Sequence, residues 1–150
     1  MLNIVIFGAT GAIGESAFSL IRKHRKELRV VGATCDTNYK KLKKLQLEFK
    51  IKKIGFNIKA QKKSNGKKKL NIKNENEIVN LKNFHKLITK DVDIIIFAIT
   101  GLNALDLSLK IAKSGKICGL ANKECIISLG HQFLKIAKKH NTKIIPLDSE

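Results

Sequence analysis

Six short apolar runs recur along the chain, separated by segments in which apolar residues return every three or four positions. The runs are Leu2–Phe7 and residues 29–33, 54–58, 93–99, 116–120 and 142–147. Near-continuous runs of this length predict strands buried on both faces. Between them, residues 13–23, Tyr39–Phe49, 76–88, 103–113 and 126–139 carry helical spacing. Leu105, Leu109 and Ala112 illustrate it, as do Leu129, Phe133 and Ile136. Strands alternating with helices predict an α/β domain, a doubly wound and mostly parallel sheet with helices on both faces. Residues 59–73, with Ser64-Asn65-Gly66 among them, read as a solvated loop or insertion. No solenoid-type repeat interrupts the alternation, so residues 1–150 are expected to form one domain.

Composition adds a positive field. The 150 residues are 43% hydrophobic and 5% aromatic, ordinary for a packed core, but the net charge is +18. Such a charge suggests nucleic acid, and a binding module with a Lys-rich docking surface is one alternative reading. Two details weigh against it. Only Arg22, Arg25 and Arg29 supply the forked guanidinium that phosphates and base edges favour. The basic stretch over residues 40–73 also lacks interleaved aromatic residues for stacking. A solvated lysine surface that draws in small anionic substrates accounts for the charge better. Cys35, Cys118 and Cys125 form no CxxC pair and read as reduced thiols. Met1 leads straight into an apolar run too short to span a membrane, so neither a signal peptide nor a membrane segment is expected, and the expected location is cytoplasmic.

The chemistry gathers where strands end. Gly8-Ala9-Thr10-Gly11-Ala12-Ile13-Gly14 joins the first strand to the first helix. Glycines there permit a tight turn and let a phosphate approach the backbone, while the helix start offers free N–H groups and positive dipole character. The setting predicts a Rossmann-like dinucleotide-binding domain. The second strand ends at Asp36-Thr37-Asn38. An acid at that place reads the ribose 2′-OH of NAD, or else Asp36 and Asn38 start a turn and cap the next helix; the sequence leaves both open. Asn122-Lys123-Glu124 follows the fifth run, and its plain reading is a polar cap and first helical turn. After the sixth run come Asp148, Ser149 and Glu150, two hard oxygen donors flanking a hydroxyl, suited to Mg²⁺ or Mn²⁺ and otherwise a solvated end. His24, His85, His131 and His140 show no metal-binding spacing.

The GATGAIG turn, Ala121-Asn122-Lys123-Glu124 and Pro146-Leu147-Asp148-Ser149-Glu150, in this order, resemble the N-terminal part of 1-deoxy-D-xylulose 5-phosphate reductoisomerases along the whole chain. The Lys-rich middle matches least. The resemblance implies NADPH, with Thr10, Gly11, Ala12 and Ile13 at its phosphates, Asn38 near its adenosine, and Asn122 and Glu124 nearer the nicotinamide. It implies that Lys123 and Glu150 serve catalysis and that Lys123, Ser149 and Glu150 touch the sugar-phosphate substrate. Asp148 and Glu150 would hold Mg²⁺ or Mn²⁺, with Co²⁺ a further candidate. In this family the substrate's carbon skeleton is rearranged to an aldehyde and reduced to 2-C-methyl-D-erythritol 4-phosphate. The family's catalytic domain and lid are expected after residue 150, so the 150 residues are expected to be inactive alone and the full-length enzyme to be a homodimer. One departure stands out. Asp36-Thr37 occupies the place of a Gly-Lys pair, removing a cation near the expected 2′-phosphate. Another dehydrogenase with a GxxGxxG turn, of the semialdehyde type, is the other enzymatic alternative; it would need a catalytic thiol, and neither Cys118 nor Cys125 sits in a nucleophile motif.

Overall fold

The computed structural model describes residues 1–57 and 77–147. Its elements are β1 (Leu2–Phe7), α1 (Ala12–Lys23), β2 (Leu28–Cys35), α2 (Tyr39–Phe49), β3 (Lys53–Phe56) and β4 (Glu77–Val79). A 3₁₀ helix over Leu81–Leu87 leads to β5 (Ile94–Phe97). A second, Leu102–Ala104, leads into α3 (Leu105–Ala112), β6 (Ile117–Leu120), α4 (Lys123–Lys139) and β7 (Lys143–Pro146). The seven strands form one sheet in the order β4-β3-β2-β1-β5-β6-β7, and every neighbouring pair is parallel.

The apolar runs become strands because both faces need cover. Ile4 and Ile6 of β1 join Phe18 and Ile21 of α1 and Leu42 and Leu45 of α2 in one cluster. Val5 and Phe7 face the other way, into a cluster with Ile111 of α3 and Phe133 of α4. The expected doubly wound sheet is therefore present. The loop expected over residues 59–73 lies outside the described residues.

One predicted helix is not formed. Over the described part of 76–88 the chain instead holds β4 (Glu77–Val79) and the 3₁₀ helix (Leu81–Leu87), separated by Asn80 at φ 72°. The spacing of Leu81, Phe84 and Leu87 misled because every-third-residue repetition fits a 3₁₀ helix, whose turn is three residues, as well as an α-helix. Phe84 and Leu87 are indeed buried. Glu77 is anchored by tertiary partners: Tyr39 Oη donates to its Oε1 at 2.9 Å and Lys43 Nζ lies 2.6 Å away. The helix expected over residues 103–113 begins as a 3₁₀ turn and becomes α only at Leu105. The helix expected over residues 126–139 begins earlier, at Lys123, and is broken at Gly130 (φ 48°, ψ −129°).

Strand order reverses between β1 and β5: from β1 the chain builds outward to β4, then returns to the other side of β1. Connections leave β1 and β5 in opposite directions, opening a crevice at the carboxyl ends of those strands.

Candidate functional site

The turn after β1 is held by backbone demands that only glycine meets. Gly8 has φ +89°, and a Cβ there would lie 2.6 Å from Ala98 O, at the end of β5. At Gly14 a Cβ would lie 2.5 Å from Gly8 O, so the start of α1 packs directly on the turn. Gly11 differs: its Cβ would meet only Gly8 O at 3.6 Å, an ordinary contact. Gly11 is the N-cap of α1, and no side chain caps that helix start. The first-turn N–H groups of such a helix have no intrahelical acceptor and attract anions.

Thr34, which the sequence reading did not single out, latches the turn to β2. Its hydroxyl accepts from Gly8 N at 3.2 Å and its carbonyl from Ala9 N at 2.7 Å. Thr34 is fully buried, but nothing local marked it, since the same strand also carries the exposed polar residue Arg29.

A cleft of about 320 Å³ opens above the turn. Thr10 and Gly11 of the turn, Asp36 and Thr37 after β2, Asn57 after β3, and Ile99 and Thr100 after β5 are among its lining residues. Asn57, just past β3, was also not foreseen; it donates from Nδ2 to Asp36 Oδ1 at 3.0 Å. The cleft adjoins a larger groove of about 680 Å³ that shares Asn57, Leu81 and Asn103 and carries Lys82 and Lys110. Ala12 and Ile13 form the first turn of α1. Asn38 caps α2 by accepting from Lys41 N at 3.0 Å, one of the two readings the sequence left open for this segment, and is not among the residues lining the cleft.

Asn122 and Glu124 organise the loop after β5. Asn122 is only 1% exposed. It donates from Nδ2 to Ile99 O at 2.6 Å and accepts from Cys125 N at 2.8 Å, capping α4. Glu124 Oε1 accepts from Gly101 N at 3.0 Å. The N–H groups of Glu124 itself and then of Gly101 hold its carboxyl below the usual carboxylate value. Lys123 is the first residue of α4 and is exposed. Leu147 N donates to Leu120 O at 3.0 Å, which carries the end of β7 alongside β6. The expected metal and substrate residues Asp148, Ser149 and Glu150 lie outside the described residues. Among the described residues no three His, Cys, Asp or Glu side chains come together as a metal-holding group.

Replacing Asn122 with alanine is expected to cost about 2 kcal/mol, a cap plus an unsatisfied buried carbonyl. Urea denaturation measures the loss. Hydrogen exchange at Gly101 should quicken in parallel, and protection equal to wild type would show that the loop holds itself.

The three thiols are buried. Burial pushes Cys35 and Cys118 up to about 12 and Cys125 up to about 11. The Cys125 thiol donates to Asn122 O at 3.1 Å. A thiolate nucleophile of the semialdehyde-dehydrogenase kind is therefore not supplied by these residues at neutral pH. Because a thiol freed by unfolding ionises near its ordinary value of 9.0, the unfolded chain holds fewer protons than the folded one above that pH. Stability is expected to fall as pH rises from 9 toward 11, read as a declining melting temperature. Native protein at pH 8 should resist iodoacetamide, and rapid modification there would contradict this burial.

The topology and the strand–glycine turn–helix junction are those of the Rossmann-type domains of nicotinamide-dependent enzymes. The family model for 1-deoxy-D-xylulose 5-phosphate reductoisomerase matches residues 4–130, and the chain belongs to that family. It is 34% identical over 157 residues to the enzyme of that name from Clostridium beijerinckii, an alignment spanning 100% of this chain and 39% of the relative. A crystal structure of DOX-P reductoisomerase in complex with magnesium superposes with a TM-score of 0.85 at 30% identity, over 100% of this chain and 38% of that one. Another, in complex with NADPH, fosmidomycin and magnesium, gives 0.81 at 30% identity, over 99% and 37%. The chain thus spans about two-fifths of the length of the relatives it matches.

Proposed function

We propose that this chain is the dinucleotide-binding portion of an enzyme that converts 1-deoxy-D-xylulose 5-phosphate to 2-C-methyl-D-erythritol 4-phosphate with NADPH and a divalent cation. The observation that carries this reading is the uncapped start of α1 at a glycine turn beneath the cleft. The residues fit a dinucleotide: Gly11 leaves open the space a side chain would fill, and the cleft's volume falls at the lower end of the range of small-molecule and cofactor pockets. NADPH and magnesium in the related structures support the same assignment.

In this reading the N–H groups of Ala12 and Ile13 take the pyrophosphate, and Thr10 and Gly11 shape its approach. Asn122 and Glu124 position the Ile99–Gly101 loop over the cofactor's path by their bonds to Ile99 O and Gly101 N. The exposed ammonium of Lys123 meets the anionic sugar phosphate. Asp148 and Glu150 serve as oxygen ligands for Mg²⁺ or Mn²⁺, with Ser149 on the substrate. The bound cofactor supplies hydride, and the cation supplies Lewis acidity where the substrate's oxygens lie side by side. The complete enzyme acts as a cytoplasmic homodimer in this proposal. Among the described residues no helix is long and apolar enough to cross a membrane.

Calorimetric titration tests the reading: NADPH should bind at one saturable site, more tightly than NADH. A folded chain that binds neither nucleotide would overturn it. Asp36→Asn removes a carboxylate from the cleft wall and is expected to strengthen NADPH binding about 3- to 10-fold, a charge effect at intermediate range. An unchanged NADPH affinity with a sharp loss of NADH would instead make Asp36 a reader of the ribose 2′-OH.

A further inference from the structure

The sheet is covered unequally toward β7. On the α3 and α4 side, Ile95, Phe97, Cys118 and Leu120 are all buried. On the opposite side, Ile4 and Ile6 of β1 are buried beneath α1 and α2. Strand pairing carries that side outward through Ile94 and Ile96 of β5 to Ile117 of β6 and Ile145 of β7. Exposure rises along the same path. Ile94 and Ile96 are half-buried, whereas Ile117 is 39% and Ile145 40% exposed. Leu147, 43% exposed, extends over Gly119, where a Cβ would lie 2.8 Å from its Cδ1. The cluster that includes α1 and α2 reaches Ile94 and Ile96 and goes no further. Parallel sheets are covered on both faces, and a contiguous aliphatic patch left open marks an interaction surface.

We propose that this face of β5, β6 and β7 seats an amphipathic helix from the catalytic portion of the reductoisomerase, the part of its relatives that this chain does not span. The inference rests on the function proposed for the chain as a dinucleotide-binding portion. The chain covers 39% of the Clostridium beijerinckii relative, so most of that protein's length lies outside the match. Leu147, the last of the described residues, lies on this very face, beside the open patch. Lys143 stands at the patch's rim, paired in register with Ile117. It calls for an aliphatic stripe flanked by acid. A second copy of this chain fits poorly, because two surfaces of a molecule with net charge +18 would be brought together with Lys143 facing its own kind.

Alkylation of an introduced thiol tests the proposal, since the native thiols are buried and stay silent. Ile145→Cys in this chain should react rapidly with N-ethylmaleimide, at a rate independent of protein concentration. A cysteine at the aligned position of the full-length Clostridium beijerinckii enzyme should react at least about 50-fold more slowly, the protection that burial confers. Ile117→Cys should repeat the contrast. Leu47→Cys, on α2 at a residue 80% exposed, and its aligned counterpart should react fast in both proteins. Equal rates at positions 145 and 117 in the two proteins would overturn the proposal. So would a rate in this chain that falls as its concentration rises, which would make a second copy the occupant. The readout needs no nucleotide. Failed dinucleotide titration with thiol protection intact would strike only the functional reading, and the converse only the docking face.

Discussion

Replacing Gly11 with valine is expected to abolish nicotinamide dinucleotide binding while leaving the fold intact. Gly11 has φ −84° and ψ 174°, extended backbone open to any residue. Its Cβ would find only an ordinary contact at 3.6 Å, so the protein itself has room for a side chain. That room is where a pyrophosphate must come to reach the N–H groups at the start of α1. Two γ-methyl groups there exclude the phosphate oxygens. The expected loss is at least about 100-fold in affinity, or about 2.7 kcal/mol. Unfolding free energy should change by no more than about 1 kcal/mol, the scale of N-cap substitutions. Added NADPH should raise the melting temperature of the wild-type chain and not of the variant, because only a bound ligand shifts the folding equilibrium. Equal affinities in calorimetry would remove the glycine turn from the site.

Gly8→Ala, three residues earlier, should act in the opposite sense and damage the fold itself. Here φ is +89°, a backbone region that side-chain-bearing residues rarely adopt, and the new Cβ would lie 2.6 Å from Ala98 O. That carbonyl cannot move aside cheaply. Ala98 N donates to Phe7 O at 2.9 Å, so the end of β5 is tied to the end of β1 at this level. Relieving the clash would also pull Gly8 N from Thr34 Oγ1. Conformational strain and steric overlap together are expected to cost about 3 kcal/mol or more. For a chain of this length that corresponds to a fall of about 10 °C in melting temperature. Circular dichroism during heating measures it; a midpoint within about 2 °C of wild type would show that the turn can rearrange. The two glycines are separated by three positions in sequence yet divide between function and folding.

Much of the architecture was legible because strands buried on both faces must be apolar at nearly every position. Leu2–Phe7 matches its strand residue for residue, and Tyr39–Phe49 matches its helix. Residues 76–88 were not legible. Spacing by threes does not distinguish a 3₁₀ helix from an α-helix, and β4 exists through its pairing with β3 and the anchoring of Glu77 by Tyr39 and Lys43. Thr34 and Asn57 escaped notice for a related reason. Their partners Gly8 and Asp36 lie more than twenty positions away, and no local pattern reports such pairings.

The sequence by itself determined the alternation of strands and helices, the placement of chemistry at strand ends, and the family, because each is written in local periodicity or in short contiguous motifs. Tertiary structure alone decided what those residues do to one another. It turned Asn122 and Glu124 into the struts of the loop after β5. It separated Gly8, which the packing of β5 requires, from Gly11, which no protein contact requires. It also left Ile117, Ile145 and Leu147 exposed on one side of β6 and β7 among the described residues. These outcomes depend on which groups meet across the sheet, and hydrogen bonds, steric contact and burial arise only once distant segments are brought within a few ångströms of each other.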